Sequence, residues 1–259
     1  MEHSQQVQSA IDNGYDFKIG EYFSRGYEIF KKNPGGFLGY TVVFILISIV
    51  VSMIPILGFL IGIVVNPALA VGIPYGAHLQ EQTGSQEFGN FFKGFNHIAQ
   101  LVVANILMLL VYFILLLPLI FVLGFSFISA LATSDAGSLM DASSQIASSM
   151  IWIFLIGLIC LYVAVSFRWT NYLIVFHKYD AVEAIKTSWK LTNKRWFLHF
   201  AFILLVGLSI ILGLVALIVG ILFAYPIVMA ADYAGYADVT GLEGSGDAID
   251  EIGVTEDLV

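Results

Sequence analysis

The 259 residues of this chain are 59% hydrophobic and only 12% charged, with a formal net charge of -8 at pH 7. Soluble domains are about a quarter charged and roughly half apolar, so the composition excludes an ordinary soluble domain, a disordered chain and a disulfide-stapled chain. It indicates a polytopic membrane protein.

The two ends of the chain differ in composition from its centre. Residues 1–16 are polar and lack the basic stretch and short apolar core of a cleavable signal, so we predict a polar N-terminal segment. Residues 17–238 hold the long apolar runs and are predicted to form the membrane domain. Residues 239–259 combine glycines and acidic side chains with little apolar area, which predicts an acidic, disordered tail.

Long runs without Asp, Glu, Lys or Arg mark the predicted spanning helices, each of which needs about 20 apolar residues. The run from Asn33 to Gln80 is too long for one helix and is predicted to turn at 55–58, where Pro and Gly interrupt it. The run from Trp196 to Ala231 is likewise predicted to be a helical hairpin. Residues 133–147, rich in Ser, Ala, Asp and Gly, are predicted to be a loop. The six predicted spans are 36–54, 58–79, 97–125, 148–172, 197–215 and 218–237.

The basic residues predict the orientation of these spans, because Lys and Arg near the ends of spanning helices mark the cytoplasmic side. With six alternating spans, all 11 Lys and Arg residues fall on one face. The segments on the other face, at 55–58, 126–147 and 215–218, contain none. The sequence therefore predicts that both termini are cytoplasmic, and topology alone is a sufficient reason for these basic residues.

An amphipathic helix followed by a spanning hairpin is predicted to occur three times, which makes the predicted fold all-α. The three amphipathic stretches are 17–32, 86–95 and 181–195. Aromatic-rich amphipathic helices lie in the membrane interface with the apolar side down. The local sequences also match, since Phe23–Tyr27 resembles Phe91–Phe95 and, more loosely, Ile185–Trp189. The alternative interpretation is that any aromatic-rich interfacial helix shows this pattern.

The second and sixth predicted spans each contain a proline near mid-depth. Small residues follow each proline by five and nine positions, a spacing that lets two helices approach closely. Proline-interrupted helices at matching places in repeats are typical of transporter binding sites, and the alternative is a packing kink. The residues concerned are Asn66, Pro67, Gly72 and Gly76 in one span and Tyr225, Pro226, Ala231 and Gly235 in the other.

One segment carries a resemblance to a known family. Asp180–Thr192, an acidic–Ala–basic–Ser–aromatic stretch that precedes a predicted span, resembles a segment of a loose group of bacterial six-helix membrane proteins. That group includes the membrane domain fused to some glycerophosphodiester phosphodiesterases. The resemblance implies a shared architecture over residues 17–238 and a bacterial cytoplasmic membrane. It implies no activity, because the soluble phosphodiesterase barrel is absent from this sequence.

Residue types that carry chemistry are few. Cys160 is the single cysteine, so no disulfide forms within one chain. The five histidines include no His-Glu-x-x-His motif, and no Gly-x-Ser-x-Gly or Walker-type sequence occurs. We therefore predict no metal, no cofactor and no catalytic constellation.

The candidate binding residues are polar side chains inside predicted spans. They are Asn66, Asn105, Arg168, Tyr225 and Asp232. Asp232 is the one acidic residue within a predicted span, and Arg168 on the fourth span lies at nearly the same depth. We predict that the two form an ion pair that joins helices, because a lone charge there is costly. The alternatives are a substrate or proton site, and no contact between the two side chains. For the amides, packing or an interhelical hydrogen bond is the alternative to ligand binding.

These observations predict a non-enzymatic integral membrane protein with a scaffold, regulatory or assembly role. The alternative is a transporter, channel or lipid-handling protein with its site near the proline kinks, and a membrane-embedded enzyme has no positive signal. The expected partners are the lipid bilayer and a membrane protein. Nucleic acid is not expected, because no basic face exceeds what orientation requires.

Overall fold

A computed structural model of the chain describes residues 2–133, 136–215 and 219–242, and within these ranges it contains helices and no strand. Most of the acidic tail predicted at 239–259 therefore lies outside the described residues. The helices are α1 (Glu2–Asn13), α2 (Ile19–Lys32), α3 (Pro34–Ser52), α4 (Leu57–Ala70), α5 (Gly72–Thr83), a 3-10 helix (Phe88–His97), α6 (Ile98–Thr133), α7 (Ala136–Phe167), α8 (Thr170–His177), α9 (Ala181–Lys194), α10 (Trp196–Val215) and α11 (Val219–Thr240).

Within the described ranges, five helical segments are long and apolar enough to cross a membrane, which indicates a multi-pass membrane protein. They are Pro34–Ser52, Leu57–Thr83, Phe88–Phe125, Ser149–His177 and Trp196–Val215. These segments correspond to the first five predicted spans. Helix α11, the sixth predicted span, is not among them, and it carries Asp232 and Asp238 along with several tyrosines.

Two of the predicted spans are interrupted, whereas the sequence predicted each to be one helix. The first is broken at Val71, between α4 and α5. Pro74 lies one turn beyond, and its ring nitrogen has no hydrogen to donate to the carbonyl of Ala70. The second is broken at residues 168–169, between α7 and α8. There the hydroxyls of Ser188 and Thr192 donate to the carbonyl of Ser166 at 2.9 and 3.1 Å.

The loop predicted at 133–147 is wrong, because α7 begins at Ala136 and continues to Phe167. Only residues 134 and 135 separate it from α6 in the sequence. The segment is rich in Ala with Leu, Met and Gln, which are good helix formers, and its Ser residues are tolerated there. The small polar residues of segment 133–147 therefore did not indicate a loop.

All three predicted amphipathic stretches are helical, as α2, the 3-10 helix and α9. Each of α2 and α9 buries an apolar face and exposes its charged one. Helix α9 is capped by Asp180, whose carboxylate accepts from the Glu183 amide at 2.9 Å, and α3 by Asn33, which accepts from the Gly36 amide at 3.0 Å. The polar N-terminal segment contains a further helix, α1, which buries Val7 and Ala10.

The chain divides into two compact units. The first comprises residues 1–105 and 166–259, and within it α11 packs against α2, α10, α5 and α3. The second, residues 106–165, comprises the greater parts of α6 and α7. Its described side chains include many exposed apolar ones, such as Phe113, Phe121 and Phe154, which suit a lipid environment.

Candidate functional site

The most buried charges described in the first unit are an ion pair between Arg168, at the break between α7 and α8, and Asp232, in α11. The Arg168 guanidinium contacts the Asp232 carboxylate directly, and the two side chains are 7% and 15% exposed. The ion pair predicted from the sequence is therefore confirmed. The pair joins the α7–α8 break to α11. Each side chain compensates the buried charge of the other, which would be costly if it were left unpaired.

The Asp232 carboxylate accepts two further hydrogen bonds from the same helical element as Arg168. Trp169 Nε1 donates to Oδ1 at 3.1 Å, and the Tyr172 hydroxyl donates to Oδ2 at 3.0 Å. Tyr172 lies three positions after Trp169 and four after Arg168, and the turn at 168–169 brings the adjacent Arg168 and Trp169 to the same carboxylate. The Asp232 carboxylate is thus surrounded by three donors, which are the side chains of Arg168, Trp169 and Tyr172.

The other side of the Arg168 guanidinium contacts His199 of α10. Arg168 Nη1 lies 3.0 Å from His199 Nδ1, and the guanidinium carbon lies 4.6 Å from the centroid of the Phe202 ring. A guanidinium can only donate, so Nδ1 accepts and the ring hydrogen is on Nε2. His199 is therefore neutral in this arrangement.

The N-terminal segment completes this network. His199 Nε2 lies 2.6 Å from the Tyr15 hydroxyl, which in turn donates to the carbonyl of Leu191 at 2.8 Å. Phe17 is buried, with its ring 4.3 Å from the His199 ring and 6.2 Å from that of Trp169. We call Tyr15, Arg168, Trp169, Tyr172, His199 and Asp232 the buried network.

A second set of polar contacts joins α2, α5 and α11. Arg25 forms a two-fold contact with Glu81, at 2.6 and 2.5 Å. Tyr22 donates to Asp238 at 2.6 Å. Burial, together with the hydrogen bond to Asp238, raises the pKa of Tyr22, so the phenol stays protonated and remains a donor. These contacts fix α2 across α5 and α11.

The remaining candidate residues from the sequence do not join the buried network. Asn66 is on the exposed side of α4. Asn105 donates to Asn171 at 3.2 Å and to the carbonyl of Leu101 at 2.8 Å, which is the interhelical packing alternative. Tyr225 stacks on Phe44 with ring centroids 5.4 Å apart. Of the five candidates, the structure brings together Arg168 and Asp232.

Glycines of two predicted amphipathic stretches contact the backbone beside the two prolines that lie inside α4 and α11. A Cβ added at Gly26 of α2 would lie 2.7 Å from the carbonyl oxygen of Ile227, directly after Pro226. A Cβ at Gly94 would overlap the carbonyl of Ala68, directly after Pro67. Only glycine permits such backbone approach. The backbone beside each proline is thus a packing site, for α2 at Pro226 and for the 3-10 helix at Pro67.

Sequence reasoning missed Tyr15, His199, Trp169 and Tyr172. His199 is one of five histidines that form no metal-binding motif in the sequence, and Tyr15 falls within the N-terminal segment that was predicted to be polar. A Tyr-x-Phe pair at 15–17 directly before an amphipathic helix was the available signal, because two aromatic rings in a polar segment need a place to pack.

Two concave regions accompany these contacts. A groove of about 360 Å³ lies between α1 and α9 in the first unit. An apolar cavity of about 250 Å³ lies in the second unit and is lined by Pro118, Trp152 and neighbouring apolar residues. In the part of the chain that the structure covers, no group of three or more His, Cys, Asp or Glu residues is placed to bind a metal ion.

Comparison with known proteins finds no matching family, no matching curated protein and no matching solved structure.

Proposed function

We propose that this protein is a non-enzymatic integral membrane protein with a scaffold, regulatory or assembly role. The observation that carries the proposal is the packing of Gly26 and Gly94 onto the backbone beside Pro226 and Pro67. At a transporter site these kinks would present free backbone groups to a ligand. Here they hold other helices of the same chain.

The contacts of the amphipathic helices also support the proposed threefold repeat. Gly26 packs on Ile227, Gly94 packs on Ala68, and the hydroxyl of Ser188 donates to the carbonyl of Ser166. In each case the small residue is the fourth of the five-residue sequence that the three stretches share. Each amphipathic helix thereby packs on an even-numbered proposed span, and that span belongs to another repeat.

We further propose six spans, with α11 as the sixth, and cytoplasmic termini in a bacterial cytoplasmic membrane. All 11 basic residues then lie on the proposed cytoplasmic side, and the charge-free run from Trp196 to Ala231 is long enough to supply the fifth and sixth spans as a hairpin. The kinship with the membrane domains of glycerophosphodiester phosphodiesterases remains a proposal that rests on the Asp180–Thr192 segment. A β-lactamase or phosphatase reporter inserted near Ser138 and one fused after Val259 should report opposite sides of the membrane, and identical sides would exclude six spans.

Reconstitution into sealed liposomes tests the proposed function against a transporter. The purified protein should leave proton leak and small-solute permeability equal to those of protein-free liposomes. Saturable flux that disappears in Tyr225→Ala, but persists in the exposed control Tyr27→Ala, would instead establish the transporter alternative. Tyr225 is the informative position because its ring lies directly before the Pro226 kink.

A further inference from the structure

The exposed face of α9 carries a row of lysines. Lys186, Lys190 and Lys194 are four residues apart, so they project from one side of the helix about 6 Å apart along its axis. All three are exposed, and none forms an ion pair within the described ranges. We call these three residues the α9 lysine row.

The α9 lysine row borders water. Lys186 and Lys190 line the groove between α9 and α1. The exposed residues of α1 are polar, namely Gln5, Gln6, Gln8, Ser9, Asp12 and Asn13. A helix with such a face is solvated by water and not by lipid, so the groove that it shares with the lysines opens to the aqueous side. Any acidic group that binds these lysines must therefore approach from the aqueous side.

The chain leaves α11 next to the same helix α1. Gly241 adopts a positive φ of 64° and turns the chain, and Leu242 is buried. At Gly241 the backbone lies against the Gln6 side chain, so that an added Cβ would overlap it. The described part of the chain therefore ends beside α1, the helix that forms one wall of the groove.

The sequence after this exit is strongly acidic. Residues 243–259 contain no Lys or Arg, and their acids are Glu243, Asp247, Asp250, Glu251, Glu256 and Asp257. Even a small part of the segment can reach the lysines, because an extended chain covers about 3.3 Å per residue and α1 is only about 18 Å long.

We propose that the acidic segment 243–259 binds along the α9 lysine row of its own chain. The tether keeps the local concentration of the segment at roughly the millimolar level, so several weak exposed ion pairs suffice for occupancy. The bound segment screens α9 from other anionic partners. Raised salt releases it, because exposed charges are screened over about 10 Å at 0.1 M.

Lysine footprinting tests this interaction. The full-length protein is placed in nanodiscs of neutral phosphatidylcholine and briefly treated with an acetylating reagent, and the modification of each lysine is read by mass spectrometry. In the full-length protein, we expect the acetylation rate of the α9 lysine row to be lower by a factor of about three or more than in a variant ending at Leu242. Lys32 of α2, which is also exposed and forms no ion pair within the described ranges, serves as the matched control and should not change.

A second variant keeps the chain length and replaces the six acids by Asn or Gln. It should show the same gain in lysine reactivity as the shortened chain, and 0.5 M salt should produce that gain in the unaltered protein. Equal reactivity of the row in all variants would overturn the proposal. So would protection that requires anionic phosphatidylglycerol in the nanodisc and persists without the acids, because lipid headgroups would then be the occupant.

Discussion

Two Arg–carboxylate pairs in the first unit use the same chemistry in different surroundings. Arg168–Asp232 has side chains that are 7% and 15% exposed, and its carboxylate accepts from Trp169 and Tyr172 as well. Arg25–Glu81 has ideal two-fold geometry, but its side chains are 28% and 20% exposed. Geometry alone would rank the second pair at least as high as the first.

Surroundings decide the consequence of losing each pair. A guanidinium that is stranded in the buried network has no water to replace Asp232, and it is held beside a neutral His199 that cannot compensate its charge. A guanidinium stranded at Arg25 can turn towards solvent. The comparison shows that the Arg168–Asp232 pair stabilises the packing of the α7–α8 break on α11. The Arg25–Glu81 pair contributes less and orients α2 against α5.

The largest expected effect is at Asp232. Asp232→Asn should destabilise the protein by about 3–5 kcal/mol, because it leaves the buried Arg168 charge uncompensated. The combination with Arg168→Gln should recover part of that loss. Thermal unfolding of the purified variants in detergent measures both. Losses that simply add would show that the two charges do not interact and would remove the basis of the comparison.

Close backbone packing should come next in size. Gly26→Ala places a Cβ against the backbone of Ile227 and Ala231, which should cost about 1–3 kcal/mol or more, since backbone cannot move aside cheaply. Gly20→Ala on the same helix is the matched control, because nothing lies within 4 Å of its Cβ. That control should be neutral or slightly stabilising. Equal melting temperatures for the two variants would contradict the close approach of α2 to α11.

A smaller effect is expected where the N-terminal segment meets the buried network. Tyr15→Phe keeps the ring but removes the hydroxyl that contacts His199 and Leu191, at a cost of about 1–2 kcal/mol. Hydrogen exchange should report faster opening of residues 5–17 in this variant. Tyr27→Phe, at an exposed position of α2, is the control. If the exchange rates are unchanged, the Tyr15 hydroxyl does not stabilise the packing of the N-terminal segment, and the buried Phe17 ring alone holds it.

The smallest effect should belong to the Arg25–Glu81 pair. A double-mutant cycle with Arg25→Gln and Glu81→Gln should give a coupling energy of about 1 kcal/mol or less, because the pair is partly solvated and screened. The coupling should fall further in 0.5 M salt, whereas that of Arg168 and Asp232 should hold. A coupling equal to that of the buried pair would break the comparison.

Five of the six predicted spans coincide with helices that are long and apolar enough to cross a membrane, because apolar run length is a local property. The predicted helix at 197–215 is found at Trp196–Val215, and that at 36–54 is found at Pro34–Ser52. The breaks at Val71 and at residues 168–169 were not predicted. The second depends on hydroxyls of α9 that reach the carbonyl of Ser166 from 22 and 26 residues away.

One part of the candidate site was likewise predictable from the sequence, and another part was not. Depth along two helices was enough to match Arg168 with Asp232, because rise per residue is constant in any α-helix. The rotation of each helix about its axis was not available from the sequence, and it decides that Trp169 and Tyr172 donate to the same carboxylate while Asn66 faces outward.

By itself, the sequence determined an all-α chain with apolar helices of membrane-spanning length, the helices at 17–32, 86–95 and 181–195, and the pairing of Arg168 with Asp232. These are set by composition and by helical period, which act over a few turns. Only the tertiary structure decided that Tyr15 and Phe17 lie against His199 and that Gly26 packs beside Pro226. Those contacts join residues more than 180 positions apart, and they exist because buried donors, rings and kinked backbones must find partners wherever the fold supplies them.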